Sequence, residues 1–298
     1  MIHLISKKIA ALATVCILLS ACGQLQSEQE KNNKVTSSNT SITAPAVTEP
    51  ASNADPSNTE AEAATDSPSK TIQEPEANET EVIPEFQYHI NKAYNVVPNE
   101  EGIDKKVVLL TFDDGPKEQE MVNGLLDTLD KHQAKAIFFV NGYRVKANPD
   151  LLKQIHDRGQ IIGNHSWDHI DLKKENSDNA RKQVEDVQQI VEDTIGERPR
   201  FFRPPFGSGN ENLHKIAEDN SLIYMTWSNG SLDWDSKSKN KPEVVIQNVM
   251  DQLHNGSNIL MHELPWTVEA LDELLSKLEG QGYSFVDPRA ISEAPKEQ

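Results

Sequence analysis

Val107-Val108-Leu109-Leu110-Thr111-Phe112-Asp113-Asp114-Gly115-Pro116 runs from an unbroken apolar segment into two adjacent carboxylates and a turn. The apolar part has the length and composition of a buried strand, and the Gly-Pro step closes it. Two neighbouring carboxylates repel each other, so a pair held at a strand end has a cation or a proton to share. Farther along, Asn164-His165-Ser166-Trp167-Asp168-His169 sets two imidazoles four residues apart. One carboxylate and two imidazoles make a divalent-metal site with open positions, and the other carboxylate is left for proton transfer. That combination points to metal-assisted hydrolysis.

Working outward, strand-like runs are predicted at 106–112, 135–140, 160–163, 200–203, 221–226, 257–262 and 283–286. Helical patterns fall between them, at 118–132, 150–158, 178–195, 211–219, 242–254 and 266–280. Strands alternating with helices imply a parallel sheet. About 190 residues with seven strand candidates suit one barrel-like α/β domain, smaller than a ~250-residue eight-fold barrel, with an open doubly wound sheet as the alternative. The unusual residues choose one edge of that sheet. Asp113 and Asp114 follow the first strand, and His165 and His169 follow the third. Arg203-Pro204-Pro205-Phe206-Gly207 follows the fourth, Asp233-Trp234 the fifth, and Leu260-Met261-His262 closes the sixth. Carboxyl ends of strands are where such folds hold their active sites.

Singly these motifs say little. Asp-Asp-Gly-Pro alone is more often a turn, a His-x-x-x-His pair can be two surface imidazoles, and a lone His262 would read as a hydrogen-bonded core histidine. Their convergence on one rim carries the argument. His89, His132, His156, His214 and His254 are read as residues of helix faces or loops with no role.

Taken in order, the five clusters resemble the motifs of the polysaccharide deacetylase family, the NodB homology domain of carbohydrate esterase family 4, over about 103–290. The resemblance implies a distorted (β/α) barrel of about seven to eight strands and hydrolytic removal of N-acetyl groups from amino sugars. It also implies roles: Asp113 as base, Asp114, His165 and His169 as metal ligands, His262 as acid. Arg203 would position Asp113 and hold it ionised, Asp233 would orient His262, and Trp234 and Leu260 would wall the acetyl pocket. In the turn of Pro204 and Phe206 a backbone N–H is the expected oxyanion donor. One divalent ion is expected, zinc first, with cobalt or nickel as alternatives. Two departures stand out: Gly230 where the motif often carries Asp, and Glu263 where Asp commonly follows the histidine. Both bear on substrate preference and the tuning of His262.

The amino terminus suggests where such chemistry would act. Lys7 and Lys8 precede an apolar run from Ile9 to Leu19, too short to span a bilayer core of ~30 Å. Leu19-Ser20-Ala21-Cys22 resembles a bacterial lipobox, which implies a signal peptide over 1–21, acylation of Cys22 and a membrane anchor. Cys16 would leave with the signal, so no disulfide is expected. Residues 22–84 read as a disordered acidic tether rich in Ser, Thr and Pro, and 85–298 as the catalytic domain. Counting 23–100 gives four Lys against thirteen Asp or Glu, and from 101 onward 23 basic against 34 acidic residues. That balance argues against nucleic-acid binding. A monomer acting on peptidoglycan N-acetylglucosamine outside the cell membrane is the leading expectation. Chitooligosaccharide or exopolysaccharide deacetylation is the alternative, as is a non-catalytic glycan-binding surface lipoprotein.

Overall fold

The computed structural model describes residues 85–294; the expected signal peptide, Cys22 and the tether lie outside the described residues. In chain order the elements are β1 (Tyr88–Ile90), β2 (Val96–Pro98), β3 (Val107–Gly115), α1 (Gln119–Lys131), β4 (Ala136–Val140), α2 (Gly142–Ala147), α3 (Pro149–Asp157), β5 (Ile161–Asn164) and α4 (Ser177–Ile195). There follow β6 (Phe201–Phe202), α5 (Glu211–Asp219), β7 (Ile223–Tyr224), β8 (Asn229–Gly230), α6 (Pro242–Asp251), β9 (Ser257–His262), α7 (Pro265–Gly280), β10 (Ser284–Phe285) and β11 (Ile291–Ser292).

The main sheet runs β7-β6-β5-β4-β3-β9-β8, all parallel, with β10 added beside the first residues of β3. Among the described residues β7 and β8 do not pair, so the sheet is a curled half-barrel rather than a closed cylinder. β3 lies at its centre and has both faces covered, as its continuous apolar run requires. Val107 and Leu109 point into the curl with Ile137, Phe139, Phe201 and Met225. Val108, Leu110 and Phe112 point the other way, under Leu125 and Leu129 of α1 and Leu271 and Leu275 of α7. Fully burying side chains of this size contributes roughly 1.5–3 kcal/mol each. The period-two alternation therefore continues inward through Thr111 to Asp113 at the rim.

Several boundaries depart from expectation. Asp113 and Asp114 lie within β3, just before its last residue Gly115, not beyond it. The run at 221–226 pairs over Ile223–Tyr224 alone, and β8 is an additional short strand on the far side of β9. α6 stops at Asp251 instead of 254, because the chain tightens there: Gln252 and Leu253 N–H donate to Val249 and Met250 carbonyls. Gly256 then enters β9 with φ +77, and a Cβ there would lie 2.1 Å from the Val96 carbonyl oxygen, so the position accepts glycine alone. β1, β2 and β11 form a small second sheet with no counterpart in the sequence reading, and His89 lies in β1 rather than in a helix or loop.

Candidate active site

β3 and β9 set the site's centre by register. Asp113 pairs with His262 across the two strands, so the two candidate proton-transfer groups stand side by side. On the β4 side the register slips between Asp113 and Gly115, and Asp114 sits at φ +67. The slip turns consecutive carboxylates into different environments, one buried in the curl and one facing the rim.

Asp113 is 3 % exposed. Its Oδ1 accepts from Arg203 Nη1 at 2.7 Å, which leaves Oδ2 toward His165 Nε2 at 3.6 Å. Arg203 is wholly buried and fully used. Nη1 also donates to Thr111 Oγ1 at 2.8 Å, and Nη2 to the Thr226 carbonyl and to Asn258 Oδ1 at 2.8 and 3.2 Å. The guanidinium lies 4.3 Å from the Phe139 ring centroid. Such a network satisfies a buried charge and fixes which carboxylate oxygen stays free.

Asp114, His165 and His169 present ligand atoms that all lie within 4.8 Å of one another. His165 Nδ1 is 2.7 Å from the Arg203 carbonyl oxygen, which can only accept, so Nδ1 carries the proton and Nε2 offers its lone pair inward. Asp114 Oδ1 is 3.5 Å from His165 Nε2 and 3.2 Å from His169 Nε2. Neighbouring ligands around a tetrahedral ion with ~2.0–2.1 Å bonds stand about 3.3 Å apart, which these separations match. Asp114 Oδ1 is moreover buried with no hydrogen-bond partner, an unpaired acceptor aimed into the cluster. Burial works to raise the Asp114 carboxyl, but the surrounding imidazoles and Lys117 outweigh it and hold it below the usual range. Burial pushes His169 down, favouring the neutral imidazole a metal needs. The residues therefore fit a divalent metal. The His-x-x-x-His pair gets there without a helix: it lies in a loop, with Ser166 and His169 both at positive φ.

His262 closes the other side. Its Nδ1 bonds Asp233 Oδ1 at 2.7 Å, and its backbone N–H donates to Oδ2 at 2.7 Å. Asp233 is fully buried, with Thr267 Oγ1 donating to Oδ2 and Trp266 Nε1 to its carbonyl, each at 2.7 Å. Burial disfavours the imidazolium, yet the Asp233 hydrogen bond and the charges of Asp233, Asp113 and Asp114 prevail and raise His262 above its ordinary value. Trp234, 45 % exposed, stands edge-on 5.2 Å from the His262 ring, and Leu260 is buried within β9. Pro204 is buried, whereas Phe206, at φ +61, is 65 % exposed and packs edge-on against His169 at 4.7 Å. All eleven predicted site residues within the described region thus gather on one rim.

Glu263 belongs to the rim as well, although the sequence marked it only as a departure. It is wholly buried, and burial raises its carboxyl to about 7. Oε2 accepts from Lys117 N–H at 2.8 Å, while Oε1 is unpartnered beside Gly115, where a Cβ would lie 1.9 Å from it. Glu263 thereby ties the end of β9 to the turn that carries Asp114. Its position directly after His262 was the available signal.

Comparison with known proteins places these features among relatives. A family profile described as polysaccharide deacetylase matches residues 100–225. The peptidoglycan-N-acetylmuramic acid deacetylase PdaC of Bacillus subtilis (strain 168) is 37 % identical over 205 residues, 68 % of this chain and 42 % of PdaC. A peptidoglycan-N-acetylglucosamine deacetylase of Bacillus cereus is 34 % identical over 200 residues, 65 % of this chain and 71 % of that protein. The chain thus spans less than half the length of PdaC. Among solved structures, BA3943 of Bacillus anthracis, a CE4 family pseudoenzyme, superposes with TM-score 0.58 at 35 % identity, covering 64 % of each chain.

Proposed function

The chain belongs to the polysaccharide deacetylase family, and from that premise we propose that it hydrolyses the N-acetyl groups of amino sugars in a cell-envelope polysaccharide, peptidoglycan first. The observation that carries this reading is the pairing of Asp113 with His262 beside the Asp114–His165–His169 cluster. Asp114, His165 and His169 would hold the divalent ion, zinc in our reading, which when bound supplies a Lewis acid for the amide carbonyl and for water. Asp113 is the base: Arg203 occupies Oδ1, so Oδ2 receives the proton of the water that adds to the amide carbon. The developing oxyanion is met by the backbone N–H of Phe206 in the turn after Pro204. His262 keeps its Nδ1 proton on Asp233 and gives the Nε2 proton to the departing nitrogen as the C–N bond breaks, releasing acetate and a free amine. Trp234 and Leu260 surround the acetyl methyl, and exposed Trp234, Leu232 and Phe206 offer apolar faces to the sugar.

Relatives named for peptidoglycan support that substrate, and both proton-transfer residues favour an enzyme over a glycan-binding pseudoenzyme. The leader and Leu19-Ser20-Ala21-Cys22 support a lipid-anchored protein held outside the cell membrane by an acidic tether. Among the described residues no helix is long and apolar enough to cross a membrane. Acetate release from peptidoglycan and from chitin oligomers, before and after chelation and with zinc, cobalt or nickel restored, tests the reading. Metal-loaded protein that frees no acetate from either would overturn it.

A further inference from the structure

Two cations stand on the same rim without a direct partner. Lys117 follows the Gly115-Pro116 turn, and Arg144 lies on α2. Among the described residues neither has a carboxylate oxygen within 4.0 Å. Both are half-buried. The Arg144 guanidinium stacks 5.0 Å over the ring of exposed Tyr143, and its buried Nε has no hydrogen-bond partner. Lys117 is tied to both sides: its backbone N–H donates to Glu263 Oε2 at 2.8 Å, and its carbonyl accepts from Asn148 Nδ2, at the end of the Arg144-bearing α2, at 3.4 Å.

Charge accounting makes this pair unusual. Asp113 is matched by Arg203 and Asp233 by His262, while Asp114 faces the two imidazoles of the ligand cluster. Glu263 is held by the backbone N–H of Lys117 rather than by the ammonium. Neither Lys117 nor Arg144 is ion-paired, although the chain carries a formal net charge of -18. Half-buried cations lose solvation, a cost that is recovered when an anion joins them. A freely solvated surface lysine would need no such account.

We propose that Lys117 and Arg144 form a subsite for a carboxylate carried by the glycan itself, next to the sugar whose amide is cleaved. The inference rests on the deacetylase reading and narrows its substrate to an acid-bearing strand. In peptidoglycan that carboxylate has two sources, the lactyl ether of a muramic acid residue or the peptide attached to it. The lysine supplies a compact charge and the arginine a planar fork for a bidentate contact.

Equilibrium binding to the full zinc-loaded chain carrying Asp113→Asn, which blocks turnover, tests the subsite. Three ligands separate the sources: an N-acetylglucosamine–N-acetylmuramic acid disaccharide with a free lactyl carboxylate, the same unit with its peptide attached, and a neutral chitin disaccharide. The structure predicts tighter binding of an acidic ligand than of the neutral one by about tenfold or more, the worth of one charge-assisted contact. Adding Lys117→Gln and Arg144→Gln abolishes that preference and its salt dependence, whereas Lys117→Arg with Arg144→Lys retains most of it. Equal affinity for acidic and neutral ligands would overturn the proposal, as would a Gln pair that weakens all three ligands alike. Acetate release by the parent separates the two readings. Release without acid preference removes the subsite and keeps the deacetylase; acid-selective binding without release does the reverse.

Discussion

Asp233→Asn probes how His262 is held as an acid. Three donors converge on the two carboxylate oxygens: His262 Nδ1–H on Oδ1, and the His262 backbone N–H with Thr267 Oγ1–H on Oδ2. An asparagine can satisfy the latter two only by keeping its oxygen at the Oδ2 position. Its NH₂ group then faces His262 Nδ1, where a second N–H cannot be accommodated. The neutral ring with an acceptor Nδ1 becomes the favoured form, and the imidazolium loses a charge-assisted bond that contributes about 1.5–3 kcal/mol. At about 1.4 kcal/mol per pH unit, that lowers the His262 pKa by roughly 1–2 units. His262 is raised above its ordinary value in the parent, so its protonated, active form persists to higher pH there. The assay is the pH dependence of kcat/KM for acetate release. The alkaline limb of the bell should move about 1–2 units toward acid in the variant, with the acid limb unmoved. An unchanged alkaline limb together with unchanged kcat would refute the assignment of His262 as acid and of Asp233 as its partner.

Arg203→Met leaves Asp113 buried without its counter-charge, and chemical denaturation should show a loss of about 3–5 kcal/mol, the usual cost of breaking a buried pair from one side. Glu263 links stability to pH with a definite sign. Its folded-state pKa is raised from 4.5 to about 7, so the stability it lends is complete below 4.5 and is lost as pH rises through 7. The loss amounts to about 3 kcal/mol, and Glu263→Gln should remove that part of the slope in denaturation curves recorded from pH 4.5 to 8. Chelation should lower the unfolding free energy of the parent by about 3 kcal/mol when the metal had been at hundredfold excess over its Kd, and His169→Ala should abolish the difference between chelated and loaded samples.

The sequence was most informative where burial is two-sided or a motif is contiguous. The apolar runs of β3, β4 and β9 and the leucine pattern of α1 and α7 leave little choice of element, and the polar clusters that follow the strands mark the rim. Short edge elements were less visible. β6, β7 and β8 are two residues long each, fewer than any periodicity can reveal. Openness between β7 and β8 is likewise a property of strand pairing and leaves no trace in composition. The site hides its geometry for another reason. Asp114, Ser166, His169, Phe206 and Leu232 all adopt positive φ, which local propensity would have assigned to glycine. Backbone strain of order 1–3 kcal/mol at such positions concentrates at functional sites, where surrounding structure enforces it. Lys117 and Arg144 escaped notice, and Glu263 was marked only as a departure, because what sets them apart is contact and pairing across three separate elements.

The account turns on Asp113 as the base with one free oxygen. Acetate release from peptidoglycan by zinc-loaded parent and Asp113→Asn proteins, compared at equal metal content, tests it most directly. The account predicts that the variant keeps its metal, since Asp114, His165 and His169 are untouched, and loses at least about a hundredfold in kcat, the lower range for removal of a general base. Release by the variant at the parental rate with metal still bound would contradict it.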